Sequence, residues 1–142
     1  MLGSFTAEEI AYIASQPLAR LATVDPDGQP DVVPVVFEFD GRCFYIGGRS
    51  PERTRKFLNV QQGNRNVSLV IDDLASRTPW APRFLRVYGS GEIIEQHHGA
   101  FGSGRYLRVT PRVSWSWNLA GHPYTATHNS DVGSRKTIHD DS

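Results

Sequence analysis

The sequence has little of what several common protein classes require. It contains one cysteine, Cys43, in 142 residues, which excludes an internal disulfide framework and a zinc site built from several cysteines. No apolar run approaches the roughly 18 residues of a membrane-spanning helix. The first twelve residues, MLGSFTAEEIAY, lack the basic and apolar regions of a secretory signal. We therefore expect a cytoplasmic protein that does not associate with membranes.

Net charge is also absent, since 15 Lys and Arg residues balance 15 Asp and Glu residues. A protein that binds nucleic acid normally carries a clear excess of positive charge, so we expect no nucleic-acid partner. Apolar residues make up 39% of the chain, which is enough for one hydrophobic core and argues against wholesale disorder. The length fits a single folded domain.

The residue pattern predicts mainly strands with two short helices. Thr6 and Glu9 have the spacing of a capping box, which predicts a helix over about 6–15. A second helix is expected from Pro51 to about Gln61, with Ser50 as its N-cap. Seven strands are expected, at about 20–24, 29–39, 43–46, 67–71, 84–94, 106–109 and 113–117, with loops at 72–82 and 97–104.

Seven short strands with bends at Gly or Pro predict a mainly β protein, a small antiparallel β-barrel with short flanking helices. A β-sandwich of the same size fits the periodicity as well. The barrel would occupy residues 1–117. After Trp117 the periodicity ends, and residues 118–142 have the composition of a flexible polar tail, which we expect to pack on the barrel or on a partner subunit.

The densest functional signal is the segment 49–56, which places four cations at the start of the predicted second helix. Unpaired backbone N–H groups and the helix dipole favour an anion at that position, and arginine adds bidentate contacts to phosphate or carboxylate. The alternative is a solvated helix face on which Glu52 pairs with Lys56. The segment therefore predicts an anion site, with that alternative left open.

The other chemistry-bearing residues form no recognisable set. Trp80, Trp115 and Trp117 could stack on a flat ring, and they also fit packing in a core or a subunit interface. The five histidines lack ligand-like spacing, so no metal site is expected. No Ser/His/Asp set and no nucleotide-binding glycine motif is present. The catalytic residues are therefore unknown, and we expect a bound cofactor, rather than side chains, to supply the chemistry.

Five blocks of sequence, in order, carry a resemblance to a known family. They are LATVDPDGQPDVVPV from Leu21, IGG from Ile46 with TRKF, VSLVIDDLAS from Val67 with Pro79-Trp80, LRVYGSGE from Leu85, and LRVTP from Leu107 with Ser114-Trp115. Together they resemble the pyridoxamine 5'-phosphate oxidase-like (PPOX class) split-barrel family. Within it they are most similar to the deazaflavin (coenzyme F420)-dependent reductases of actinobacteria. The resemblance covers about residues 5–117.

This resemblance implies an FMN-binding-type split barrel that forms a homodimer with cofactor sites at the subunit interface. The phosphate end of the cofactor would meet the basic segment, the backbone of one early strand would border the ring, and a loop would cover a site, in the same subunit or its partner. The residues that carry over are Arg20, Thr23, Pro34, Val35, Val36, Arg49, Ser50, Thr54, Arg55, Lys56, Asn59 and Trp80.

The activity implied by the resemblance is hydride transfer from reduced coenzyme F420 to a conjugated C=C or enone-type acceptor, such as a dehydro-tetracycline-type polyketide. Tyr45, Tyr88 and His97 are the candidate proton donors. One alternative is an FMN-dependent oxidase or flavin reductase of the same fold, and another is a non-catalytic carrier of cofactor or metabolite. The width of the basic segment favours the deazaflavin, whose tail carries phosphate and carboxylates.

Overall fold

The computed structural model describes residues 3–48, 50–124 and 133–140, except for the side chain of Gln96. Its helices are α1 (Ala7–Ser15) and α2 (Arg55–Gln61), with a 3₁₀ turn at Pro51–Arg53. Its strands are β1 (Ala19–Val24), β2 (Pro30–Val35), β3 (Glu38–Phe39), β4 (Phe44–Ile46), β5 (Asn66–Ser76), β6 (Ala81–Gly99), β7 (Gly102–Trp117) and β8 (Arg135–Ile138). No helix within these ranges is long and apolar enough to cross a membrane.

The strands form one antiparallel sheet in the order β2-β1-β5-β6-β7-β4-β3, with β8 paired to β7. β2 and β3 lie at opposite ends of this order, yet only residues 36–37 separate them in the chain. The sheet must therefore curl until its two ends meet, which closes it into a barrel. The predicted mainly β barrel with short flanking helices is confirmed.

The inside of the barrel is filled by alternate residues of successive strands. Leu21, Leu69, Leu85 and Leu107 are at most 1% exposed, and Phe57 of α2 is fully buried in the same core. Because successive side chains of a strand point to opposite faces, the intervening residues form a separate outer face. This division decides which of the predicted site residues can act together.

The first helix begins as predicted. The Thr6 hydroxyl accepts a hydrogen bond from the Glu9 N–H at 3.1 Å, and the Glu9 carboxylate accepts one from the Thr6 N–H at 2.9 Å. These two bonds satisfy backbone donors that the helix cannot pair itself. The buried Glu9 carboxylate also accepts a 2.7 Å hydrogen bond from the Ser116 hydroxyl, so the capping box also ties α1 to β7.

The second α-helix begins at Arg55, whereas the sequence predicted Pro51. Ser50 has φ 47° and ψ 53° and makes no side-chain cap. An N-cap needs an extended backbone, so the left-handed conformation of Ser50 makes the predicted cap wrong. Residues 51–53 form the 3₁₀ turn, and the Thr54 hydroxyl donates to the Pro51 carbonyl at 2.6 Å.

Both predicted loops are wrong over most of their length. β5 continues through Ser76, and β6 and β7 are separated only by residues 100–101. The two strands predicted at 106–109 and 113–117 are one strand, β7, in which Pro111 lies opposite Gly89 beside a shift of register. A bulge accommodates a proline because the ladder is already interrupted there. In contrast, the strand predicted at 29–39 is divided after Val35.

Residues 135–138 form a strand that their composition does not predict. β8 pairs with β7 over residues 113–116, beyond the part of β7 that pairs with β4. Thr137 and His139 are buried, and the Gly3 N–H donates to the Ile138 carbonyl at 2.8 Å. The prediction of an unpatterned tail is therefore wrong for residues 135–138, which cover an otherwise open strand edge.

Candidate functional site

A cavity of about 350 Å³ lies where the start of α2 meets the turn between β1 and β2. Its lining combines one guanidinium, two carboxylates and two amides, from Asp25, Gln29, Pro30, Asp31, Arg55 and Asn59. The basic segment therefore reaches a cavity through Arg55. The acidic residues were not predicted, because the turn sequence Asp25–Gly28 signals a hairpin and carries no mark of a ligand site.

Lys56 follows Arg55 in α2 and is half-buried; it does not line the cavity, but Asp31 of the lining acts on its charge. Burial lowers the pKa of Lys56, and the nearby negative charge of Asp31 acts in the opposite direction. Within the described ranges, Lys56 has no carboxylate oxygen at ion-pair distance, and neither has Arg55. A cation that has lost water and has gained no partner is stabilised when an anion binds.

Asn59 forms the inner wall of the cavity and is fully buried. Its Nδ2 donates to the Thr23 hydroxyl at 2.9 Å, which fixes α2 against β1. Its Oδ1 has no hydrogen-bond partner among the residues that the structure describes. A buried acceptor without a partner is destabilising, so the wall of the cavity offers an acceptor to a hydroxyl or N–H donor.

The predicted strand residues divide between the two faces of the sheet. Arg20 and Pro34 lie opposite each other on the outer face, and Val36 is also exposed. Thr23 and Val35 are buried on the inner face. Because strand side chains alternate, the Arg20 and Thr23 side chains lie on opposite sides of the barrel wall. The structure therefore brings Thr23 to Asn59 and leaves Arg20 with Pro34.

The remaining predicted residues do not line the cavity. Ser50 and Thr54 come before Arg55 in the chain and are not part of the lining, and Arg49 lies outside the described residues. Trp80 is 52% exposed in the turn between β5 and β6. The cavity lies near the Asn66 end of β5, so the length of that strand, about 30 Å, separates it from Trp80. Trp80 cannot reach the cavity of its own subunit.

The three candidate proton donors lie on other strands and make contacts of their own. Burial, together with a 2.7 Å hydrogen bond to Asp40, raises the pKa of Tyr45 to about 12. The ring of His97 stacks on that of Tyr45 with centroids 4.3 Å apart, and Tyr88 packs edge-on against Trp115 at 4.8 Å. The cavity touches none of them. In the described part of the chain, no group of three or more His, Cys, Asp or Glu residues could hold a metal ion.

A second polar cluster sits nearer the other end of β5. The Arg83 guanidinium donates to both carboxylate oxygens of Asp73, at 2.8 and 3.0 Å. The Tyr12 hydroxyl and the Gln16 side-chain amide donate to the same carboxylate. These contacts join α1, β5 and β6. Arg83 lowers the pKa of Asp73, whereas burial and the bond to Asp73 raise the pKa of Tyr12.

Comparison with known proteins identifies the family. The family model described as pyridoxamine 5'-phosphate oxidase matches residues 5–124. The chain belongs to the pyridoxamine 5'-phosphate oxidase family. The predicted membership is thus confirmed. One relative is the 5a,11a-dehydrotetracycline/5a,11a-dehydrooxytetracycline reductase of Streptomyces rimosus, which is 34% identical over 133 residues, covering 90% of this chain and 93% of the relative.

Solved structures of other proteins share the fold. An F420 reductase is 25% identical with a TM-score of 0.56, covering 70% of this chain and 90% of the other. A conserved hypothetical protein of Mycobacterium tuberculosis is 20% identical with a TM-score of 0.65, covering 89% of this chain and 94% of the other. The fold is therefore the split barrel of the family, and the two reductases support an oxidoreductase.

Proposed function

We propose that this family member reduces a conjugated C=C or enone-type acceptor, of the fused-ring polyketide class, with reduced coenzyme F420 as the hydride source. The observation that carries the proposal is the cavity at α2, where Arg55 and the partly buried Lys56 lack ion-pair partners in the described structure. The dehydrotetracycline reductase and the F420 reductase among the similar proteins support the combination of acceptor and cofactor.

The residues around the cavity fit a cofactor that carries a phosphate and a hydroxylated chain. Arg55 and Lys56 would hold the phosphate, and Asn59 Oδ1 would accept a hydrogen bond from a hydroxyl of the chain. From Asp31 at the cavity to Pro34 along β2 is about 10 Å. The ribityl chain between phosphate and ring bridges a gap of this order. Asp31 and Pro34 lie on opposite faces of β2, which pairs only with β1 among the described strands, so the chain would pass around the other edge of β2 and the ring would lie beside Pro34 and Arg20.

The two carboxylates in the cavity do not prevent an anion from binding. Asp25 Oδ1 already accepts 2.9 Å hydrogen bonds from the backbone N–H groups of Asp27 and Gln29, which offset its charge. Asp31 acts on Lys56 and favours its charged form. Asp31 acts on Lys56 without coming within ion-pair distance of it, so Lys56 and Arg55 both remain able to contact a phosphate. The carboxylates can accept from hydroxyl groups of the same ligand.

Reduced deazaflavin, when bound, supplies a hydride to an electrophilic carbon of the acceptor. The chain itself would bind the anionic end at α2 and support the ring along the outer face of β1 and β2, so that the acceptor meets it in a fixed orientation. We also propose a homodimer with the sites between subunits. Trp80, about 30 Å along β5 from its own cavity, would then reach the site of the partner subunit.

Titration of the purified protein tests the choice of cofactor. We expect a colourless protein that binds coenzyme F420 and oxidises its reduced form when a conjugated fused-ring ketone is added. FMN, NADPH and oxidised F420 serve as comparisons in the same titration. A yellow protein with stoichiometric FMN would replace this proposal with the FMN oxidase alternative, and binding of F420 without turnover would indicate a carrier.

A further inference from the structure

One row of side chains crosses the outer face of the sheet over six strands. Its members are cross-strand neighbours on successive strands, in the order Pro34, Arg20, Val70, Arg86, Trp115 and Lys136. Arg20 has a carboxylate partner, Asp72, at 3.8 Å. Arg86 and Lys136 have no such partner anywhere in the described structure. The far end of the row therefore carries two uncompensated cations.

Both of these cations lie against the same indole ring. The guanidinium carbon of Arg86 is 4.3 Å from the ring centroid of Trp115, and the Nζ of Lys136 is 5.8 Å from it. Tyr88, which is 41% exposed, packs edge-on against this indole at 4.8 Å. Cation–π contacts at an exposed site hold a cation only weakly, so Arg86 and Lys136 retain the capacity to pair with an anion.

The neighbouring row on the same face contains no charged residue. It consists of Val32, Ala22, Ser68, Tyr88, Val113 and Ile138, of which Val32 and Ile138 are 69% and 47% exposed. Tyr88 therefore marks the point where an apolar strip borders the cationic row. A surface of this composition matches a flat apolar molecule that carries negative charge on one edge.

The geometry points to a second binding site at Arg86, Tyr88, Trp115 and Lys136, for a fused-ring acceptor that bears a carboxylate or enolate oxygen. Its place in the reaction rests on the proposed function. Arg20 and Pro34 belong to the same row, and Arg86 lies two strands from Arg20, about 10 Å away. For hydride transfer, an acceptor held at Arg86 by its anionic edge would have to extend across Val70, so that its far rings overlie the cofactor ring over β1 and β2 at near-attack distance.

Calorimetric titration of the cofactor-free protein tests this site with two probes of equal shape, anthraquinone-2-carboxylate and anthraquinone-2-carboxamide. We expect the wild type to prefer the carboxylate. Arg86→Gln should weaken carboxylate binding about tenfold, as for one charge-assisted hydrogen bond, and should leave carboxamide binding within about twofold. Trp115→Leu should weaken both probes, since it removes an aromatic contact and the ring that positions Arg86 and Lys136.

The matched control is Arg105→Gln, which removes an exposed arginine of β7 that is paired with Glu95 at 3.0 Å, and it should bind both probes normally. Equal affinity of the wild type for the two probes, or normal carboxylate binding by Arg86→Gln, would overturn the proposal. So would dissociation of a dimer by Arg86→Gln in sedimentation without probe, because the face would then be covered by a second copy. If the probes behave as expected while coenzyme F420 does not bind the wild type, the proposed function fails and this site stands.

Discussion

The two polar clusters along β5 differ in whether their charges are satisfied within the chain. The Asp73 carboxylate receives hydrogen bonds from Arg83, Tyr12 and Gln16, whereas Lys56 and the Asn59 amide oxygen lack partners in the described residues. A completed network stabilises the fold. Polar groups that lack partners beside a cavity lower the stability of the fold, and such groups are typical of a ligand site.

The largest effect on stability should come from breaking the complete cluster. Asp73→Ala leaves Arg83, Tyr12 and Gln16 without their acceptor, and we expect it to lower the free energy of unfolding by about 2 to 3 kcal/mol. Denaturant titration measures this change. Asp72→Ala is the matched control, because its partner Arg20 is 3.8 Å away and both side chains are more than one third exposed. It should cost less than about 0.5 kcal/mol.

Acid pH should also weaken the cluster around Asp73, with a smaller effect on the free energy of unfolding than Asp73→Ala has. Hydrogen bonds from Arg83 lower the pKa of Asp73 below its usual 3.8, so its contribution to stability is present above that pH and is lost as pH falls through the folded-state pKa. We expect Asp73→Asn to lose on the order of 1 kcal/mol less than the wild type between pH 7 and pH 2.5. Equal acid sensitivity of the two proteins would contradict the role given to this carboxylate.

The smallest expected effect on the free energy of unfolding is that of Lys56 at alkaline pH. Burial lowers the pKa of Lys56 below its usual 10.5, so the unfolded chain binds more protons between the two pKa values. Stability should therefore rise with pH as the folded form loses this proton. Lys56→Gln lacks this contribution, so the stability of the wild type relative to the variant should increase with pH between pH 8 and pH 10.5. Comparison with the variant cancels the opposite effect of Tyr12 and Tyr45, whose raised pKa values are common to both proteins. A difference that stays constant or decreases over this range would count against a desolvated ammonium.

Local signals predicted the parts of the fold that depend on neighbours in sequence. The Thr6 and Glu9 spacing gave the first helix correctly, since both partners of the capping box lie within one turn. Ser50 was misassigned because nothing in the sequence reveals that its backbone is left-handed. The strand at 135–138 was missed because its pairing with β7 is long-range and its residues are mostly polar.

Local signals in the sequence likewise predicted only part of the candidate site. The four cations of segment 49–56 predicted an anion site, which stays a prediction, and one of them, Arg55, lines the cavity. The bond between Asn59 and Thr23 joins residues 36 positions apart, and only the family resemblance had grouped them. The separation of Arg20 from Thr23 follows from strand alternation, but the sequence gives no indication of which face would carry a ring.

Fluorescence titration of coenzyme F420 against Lys56→Ala tests the central claim most directly, with Arg55→Ala beside it and the exposed Arg53→Ala as the matched control. Each of the first two should raise the Kd by about 10- to 100-fold, equivalent to about 1 to 3 kcal/mol, and should leave the free energy of unfolding within about 0.5 kcal/mol of the wild type. Normal binding by both variants would show that the cavity at α2 does not hold the phosphate.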